Sequence, residues 1–67
     1  MDFIYVLRNG KDILIFLRED EAIQMSRTHL NNTIEIFVKN SYGYSPTHNY
    51  YKNGKIYTNF FHRLSRL

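Results

Sequence analysis

The sequence predicts a small α+β protein: a ββαβ core, made of an antiparallel hairpin, one helix and a third strand, followed by a C-terminal aromatic β-hairpin. Two Asn-Gly pairs carry most of that prediction. Arg8-Asn9-Gly10-Lys11 and Lys52-Asn53-Gly54-Lys55 each sit between apolar or aromatic runs. An Asn-Gly so placed is a strong hairpin signal, because both central residues of a type I′ turn need positive φ. The third observation is a stretch of helical periodicity between the first hairpin and the next β-rich run.

Residues 3–7 and 12–17 form the first predicted hairpin. With Asn9-Gly10 as a two-residue loop, Arg8 faces Lys11 and Leu7 faces Asp12. Alternation then puts Ile4, Val6, Ile13, Ile15 and Leu17 on one side and Phe3, Tyr5, Leu7, Leu14 and Phe16 on the other. Both faces are apolar, so each needs a cover. The following segment opens with Glu19, Asp20 and Glu21 and closes with Arg27 and His29, the charge order a helix macrodipole favours. Ala22, Met25, Ser26, His29 and Leu30 fall at helical spacing with Ile23 at the edge, and Asn31-Asn32 can end the helix in a left-handed conformation.

In residues 33–38, Ile34, Ile36 and Val38 alternate with Glu35 and Phe37, which reads as a strand. Reached through one helix, it should run parallel to the second strand and pair with the first, by a right-handed crossover. Residues 40–49 are rich in turn formers, with Gly43 and Pro46, and read as a loop. Residues 50–67 form the basic aromatic hairpin and tail, ending in the apolar Phe60, Phe61 and Leu64. The preferred packing folds this segment over the sheet face that the helix leaves open; the competing one leaves that face to a second copy or a partner.

With 67 residues, the whole chain, 1–67, is expected to be one domain with thin net stability. It has no cysteine, so thiolate chemistry and the usual zinc sets are out, and a reducing compartment fits. No apolar run approaches the ~20 residues of a membrane span, and the opening residues do not follow a signal-peptide pattern. The expectation is an intracellular protein without a membrane partner. Residues 1–38 carry net −2, whereas residues 39–67 carry +5 with no acid and hold five of the six tyrosines.

Nothing in the sequence points to catalysis. His29, His48 and His62 lack ligand spacing and read as surface or edge residues, so no metal is expected. Glu19-Asp20-Glu21 reads as a solvated first helical turn rather than an acid–base pair. No serine has a nucleophile-elbow setting, and none of the three glycines opens a phosphate-binding helix. Neither an enzyme nor a cofactor is expected. Tyr42, Tyr44, Tyr50, Tyr51, Lys52, Lys55 and Arg63 form the candidate partner-binding set, aromatic anchors with a basic rim. These rings, together with Tyr57 and Phe60, can also serve as the protein's own core, or stack nucleobases with Lys52, Lys55, Arg63 and Arg66 on phosphates.

The run Phe3-Ile4-Tyr5-Val6, Asn9-Gly10-Lys11, Ile13-Leu14-Ile15-Phe16 and Arg18-Glu19-Asp20-Glu21-Ala22, followed by another strand, resembles small accessory proteins of bacteriophages. So does the abundance of Asn, Ile, Tyr, Lys and Phe. The resemblance covers residues 3–38, is architectural, and transfers no residue roles. It implies a stoichiometric binder that blocks or redirects a host protein, such as a restriction, CRISPR or toxin system, in the host cytoplasm. Self-association is a second expectation, and a small nucleic-acid-binding protein is the alternative.

Overall fold

The computed structural model describes residues 2–59. Five strands and one helix follow in the order β1 (Phe3–Asn9), β2 (Asp12–Phe16), α1 (Glu19–Thr28), β3 (Ile34–Asn40), β4 (Gly43–Lys52) and β5 (Lys55–Thr58). The strands make one sheet in the order β2-β1-β3-β4-β5, every neighbouring pair antiparallel. The architecture is therefore α+β. β1 lies between β2 and β3, the order expected from the sequence.

The first hairpin departs from its expected register. Asn9 pairs with Asp12 and Leu7 with Leu14, so the loop is Gly10-Lys11 rather than Asn9-Gly10. Gly10 has φ +64° and no positive φ occurs at Lys11, the pattern of a II′ turn with glycine first. The slip moves each residue's partner by two positions along the facing strand, so face membership is unchanged. The second Asn-Gly behaves as expected: Lys52 pairs with Lys55, and Asn53 and Gly54 have φ +50° and +78°.

Two further corrections concern residues 40–49 and the open face. The expected loop is mostly strand, since β4 already starts at Gly43 and passes through Pro46. Its ladder with β3 slips between Glu35 and Phe37, where residues 47–49 of β4 stand opposite Ile36 alone. Side chains replace the missing ladder bonds: Thr47 Oγ1 donates to the Ile36 carbonyl, and the Asn49 amide donates to Thr47 Oγ1. His48 takes φ +66° in this bulge, a region that histidine enters more readily than most residues. The β4–β5 hairpin also does not fold over the open face. It extends the sheet beside β3. Phe60, Phe61 and Leu64 lie outside the described residues.

α1 is shorter than its periodic stripe. It ends at Thr28 with His29 as C-cap at φ −107°, and neither Asn31 nor Asn32 is left-handed. Asn32 instead donates through its side chain to the Arg8 carbonyl, and Leu30 is exposed. The buried helix residues are the small ones, Ala22 and Ser26, which let the helix approach the sheet closely. The core comprises Tyr5, Leu7, Ala22, Ile34, Ile36 and Tyr51, with Phe16, Ile23 and Met25 packed around it.

Two polar tethers fix the helix to the far half of the sheet. The buried Ser26 hydroxyl donates to the Ile23 carbonyl and accepts the Gly54 amide at 2.8 Å. At the other end of α1, the Tyr51 hydroxyl donates to Glu19 at 2.9 Å. Gly54 is thus held by its positive φ and by contact with the helix, where an added Cβ would lie 2.5 Å from Arg27 Nε. Arg27 can swing aside, so the backbone conformation sets the larger cost. Gly54→Ala should lower stability by about 1–2 kcal/mol in denaturant unfolding. Ser26→Ala should cost about 1–2 kcal/mol, because it leaves the Gly54 amide without its acceptor.

Candidate functional site: the sheet face opposite the helix

Strand alternation and the observed register assign each side chain to a face. The helix face carries Tyr5 and Leu7 of β1, Ile34 and Ile36 of β3, and Tyr51 of β4, which pair across the ladders as Tyr5–Ile36, Leu7–Ile34 and Ile34–Tyr51. The opposite face carries Ile13 and Ile15 of β2, Ile4, Val6 and Arg8 of β1, and Glu35, Phe37 and Lys39 of β3. β4 adds Tyr44, Pro46, Tyr50 and Lys52 to it, and β5 adds Lys55 and Tyr57. Among the described residues no element lies over this face.

The open face has two chemically distinct halves. Toward β2 it is aliphatic: Ile13 is 61% exposed, Ile15 57%, and Leu17, just past the strand, 75%. Val6 of β1, on the same face, is buried. Toward β5 it is aromatic and basic. Tyr50 and Tyr57 stack with centroids 5.5 Å apart and planes at 19°, with Lys52 and Lys55 paired one step further along. Arg8 and Glu35 approach to 3.8 Å near the centre, a solvent-exposed pair that adds little to stability. A depression of about 220 Å³ lies at the bulge and is lined by Glu35, Pro46, His48, Asn49, Tyr50 and Asn59, among others.

The candidate residues named from sequence do not form one patch. Tyr50, Lys52 and Lys55 come together at the Asn53-Gly54 end of the open face. Tyr44 joins that face at the other end of β4, opposite Lys39, and Tyr42 projects almost wholly into solvent from the β3–β4 turn. Tyr51 turns the other way and is a core residue, 6% exposed, with its ring 6.1 Å from that of Tyr5. Arg63 lies outside the described residues. Sequence reasoning left out of the set Ile13, Ile15, Leu17, Phe37 and Lys39, while Tyr57 stood among its interface rings. The alternation that separates Ile13 and Ile15 from Leu14 and Phe16 was the signal that could have found them.

Tyr51 and Tyr5 have perturbed hydroxyls. Burial, then the hydrogen bond and negative charge of Glu19, then Tyr5 push the Tyr51 phenol up to about 12. Burial and Glu19 raise Tyr5 as well. The described residues contain no cluster of three or more acidic, histidine or cysteine side chains able to hold a metal ion. Nor do they include a helix long and apolar enough to cross a membrane. No protein-family model, curated protein or solved structure matches the chain.

Because the folded state holds the Tyr51 proton more tightly than the unfolded chain does, its contribution is present below pH 10. It is lost as the pH climbs from about 10 to about 12. A spectroscopic tyrosinate titration should therefore show a late-ionising group. Tyr51→Phe should remove that late step, lower neutral-pH stability by about 1 kcal/mol, and flatten the alkaline loss of stability.

Proposed function

We propose that this chain is a non-enzymatic protein-binding module, which acts by stoichiometric occupation of a partner's surface through the open face of its sheet. The observation that carries this reading is the exposed aliphatic group Ile13, Ile15 and Leu17, which shares its sheet face with an aromatic, basic margin at Tyr50, Tyr57, Lys52 and Lys55 across the Arg8–Glu35 pair. A small protein gains nothing for its own stability by leaving such side chains wet. Large exposed apolar patches rimmed by polar residues mark interaction sites. Burying what remains exposed of each aliphatic side chain gives about 1 kcal/mol, and the tyrosines add broad contacts at low entropic cost. The lysine margin suits a partner with an acidic surface and would act mainly on association rate.

The phage-type resemblance of residues 3–38 directs this proposal toward a host protein, for which a defence component is one candidate. In that reading the chain blocks or redirects its target without turnover. Pull-down from host lysate with the intact chain should recover a partner in about equimolar amount. Ile15→Asp and Tyr57→Ala should each weaken capture by at least about tenfold, while Tyr42→Ala changes it little. Equal capture by all three variants would move the interface off this face.

A second reading has one specific observation in its favour: Tyr44, Tyr50 and Tyr57 share their face with Lys39, Lys52 and Lys55. Rings and cations on one sheet surface can stack bases and neutralise phosphates of a single strand. A labelled oligonucleotide titrated at low and moderate salt separates the readings. Nucleic-acid binding would weaken steeply with salt, and Lys55→Ala would reduce the salt slope by about one. The protein-binding reading expects no binding even at low salt.

A further inference from the structure

The two edges of the sheet differ. β5 begins with Lys55, is four residues long and includes the polar Thr58. β2 runs Asp12–Phe16, and between Asp12 and Arg18 it and the following residue carry no polar side chain at all. Natural edge strands are usually guarded by charge, proline or a bulge. β2 has none of these along its middle, and Ile13, Leu14 and Ile15 are 61%, 42% and 57% exposed.

The hairpin geometry says which backbone groups that edge offers. A two-residue loop makes the flanking Asn9–Asp12 pair hydrogen-bonded, and hydrogen-bonded pairs then recur at Leu7–Leu14 and Tyr5–Phe16. Asp12, Leu14 and Phe16 thus spend their amides and carbonyls on β1. Ile13 and Ile15 turn theirs outward, where among the described residues no strand meets them.

We infer that β2 is a self-pairing edge: two copies of the chain join through antiparallel β2 strands about a two-fold axis at Leu14. Leu14 is the middle residue of the strand. Centred there, Ile13 of each copy stands opposite Ile15 of the other, and the two outward pairs exchange four main-chain hydrogen bonds. Leu14 meets its own counterpart on the helix side. No like charges face each other: Asp12 lies opposite Phe16 of the second copy, and Arg18, beyond the strand end, is paired with its own Asp20. The contact closes on itself, whereas β2 pairing with β5 of another copy would be head-to-tail and open-ended. An antiparallel two-fold across a continuous sheet keeps both helices on one side. The dimer therefore sets two open faces side by side.

This inference does not rest on the proposed function, because the Leu14 side chain lies on the helix side and its replacement leaves the open face as it is. Sedimentation velocity over a wide concentration range tests it. The wild-type chain should pass from its monomer mass of 8.1 kDa to twice that value. Leu14→Lys and Leu14→Glu alone should each weaken association about tenfold or more, and an equimolar mixture of the two should restore it. In the wild type, amide exchange at Ile13 and Ile15 should slow as concentration rises, with Ile56 and Thr58 unchanged. A wild type that stays monomeric throughout overturns the inference. So does a dimer that protects the β5 edge instead, or one that is indifferent to Leu14→Lys.

Discussion

A single ten-residue helix has to close one face of a five-stranded sheet, and the rest of the molecule follows from how it does so. α1 packs against β4 and, at its other margin, β2. It reaches the sheet closely because its inward residues are Ala22 and Ser26 rather than large side chains. That choice sacrifices buried helix volume, which the sheet makes up from its own side with Leu7, Ile34, Ile36 and the rings of Tyr5 and Tyr51. Ser26 to the Gly54 amide and Glu19 to the Tyr51 hydroxyl bind the two ends of the helix to the last hairpin. The aromatic hairpin is thus joined to the core by specific polar contacts as well as by the β3–β4 ladder.

Among the described residues one helix serves two sheet faces, and no described element lies over the second. The residues exposed there are not a scatter of tolerated apolar side chains. They change from aliphatic at β2 to aromatic and basic at β4 and β5, although Phe3, Leu14 and Ile56 are exposed on the helix side as well. A chain of this size has little stability to spare. Under the proposed function, binding would recover the cost of keeping Ile13, Ile15 and Leu17 exposed. The β2 edge likewise leaves Ile13 and Ile15 exposed, with no described strand beyond it.

Much of the fold was legible because local signals agreed with one another. Alternation in residues 3–7, 12–17 and 33–38 and the acid-to-base order of residues 19–29 marked the first three strands and the helix. The Asn53-Gly54 turn was legible because both residues adopt the positive φ that their types favour. At Asn9-Gly10 the same dipeptide failed to set the register, because a glycine-first II′ loop one residue later pairs Leu7 with Leu14 and Tyr5 with Phe16. The strand through Gly43 and Pro46 was hidden by its turn-forming composition. Its pairing with β3 is a tertiary fact, stabilised at the bulge by Thr47 and Asn49 in place of regular ladder bonds. The site was half legible: the double apolar character of the first hairpin pointed to a face needing cover. Attention to the tyrosines, however, drew in Tyr51, which the Glu19 contact and the core claim, and passed over the aliphatic half of the patch.

The account stands on the inequality of the two sheet faces, and a solvent-borne paramagnetic probe measures that inequality directly. In NMR of the intact chain, at a concentration where it is monomeric, the side chains of Ile15, Leu17 and Tyr57 should relax strongly. Those of Leu7, Ile34 and Tyr51 should be nearly untouched. Equal protection of the two groups would mean that the face opposite the helix is already covered, and the reading of it as a binding surface would be wrong.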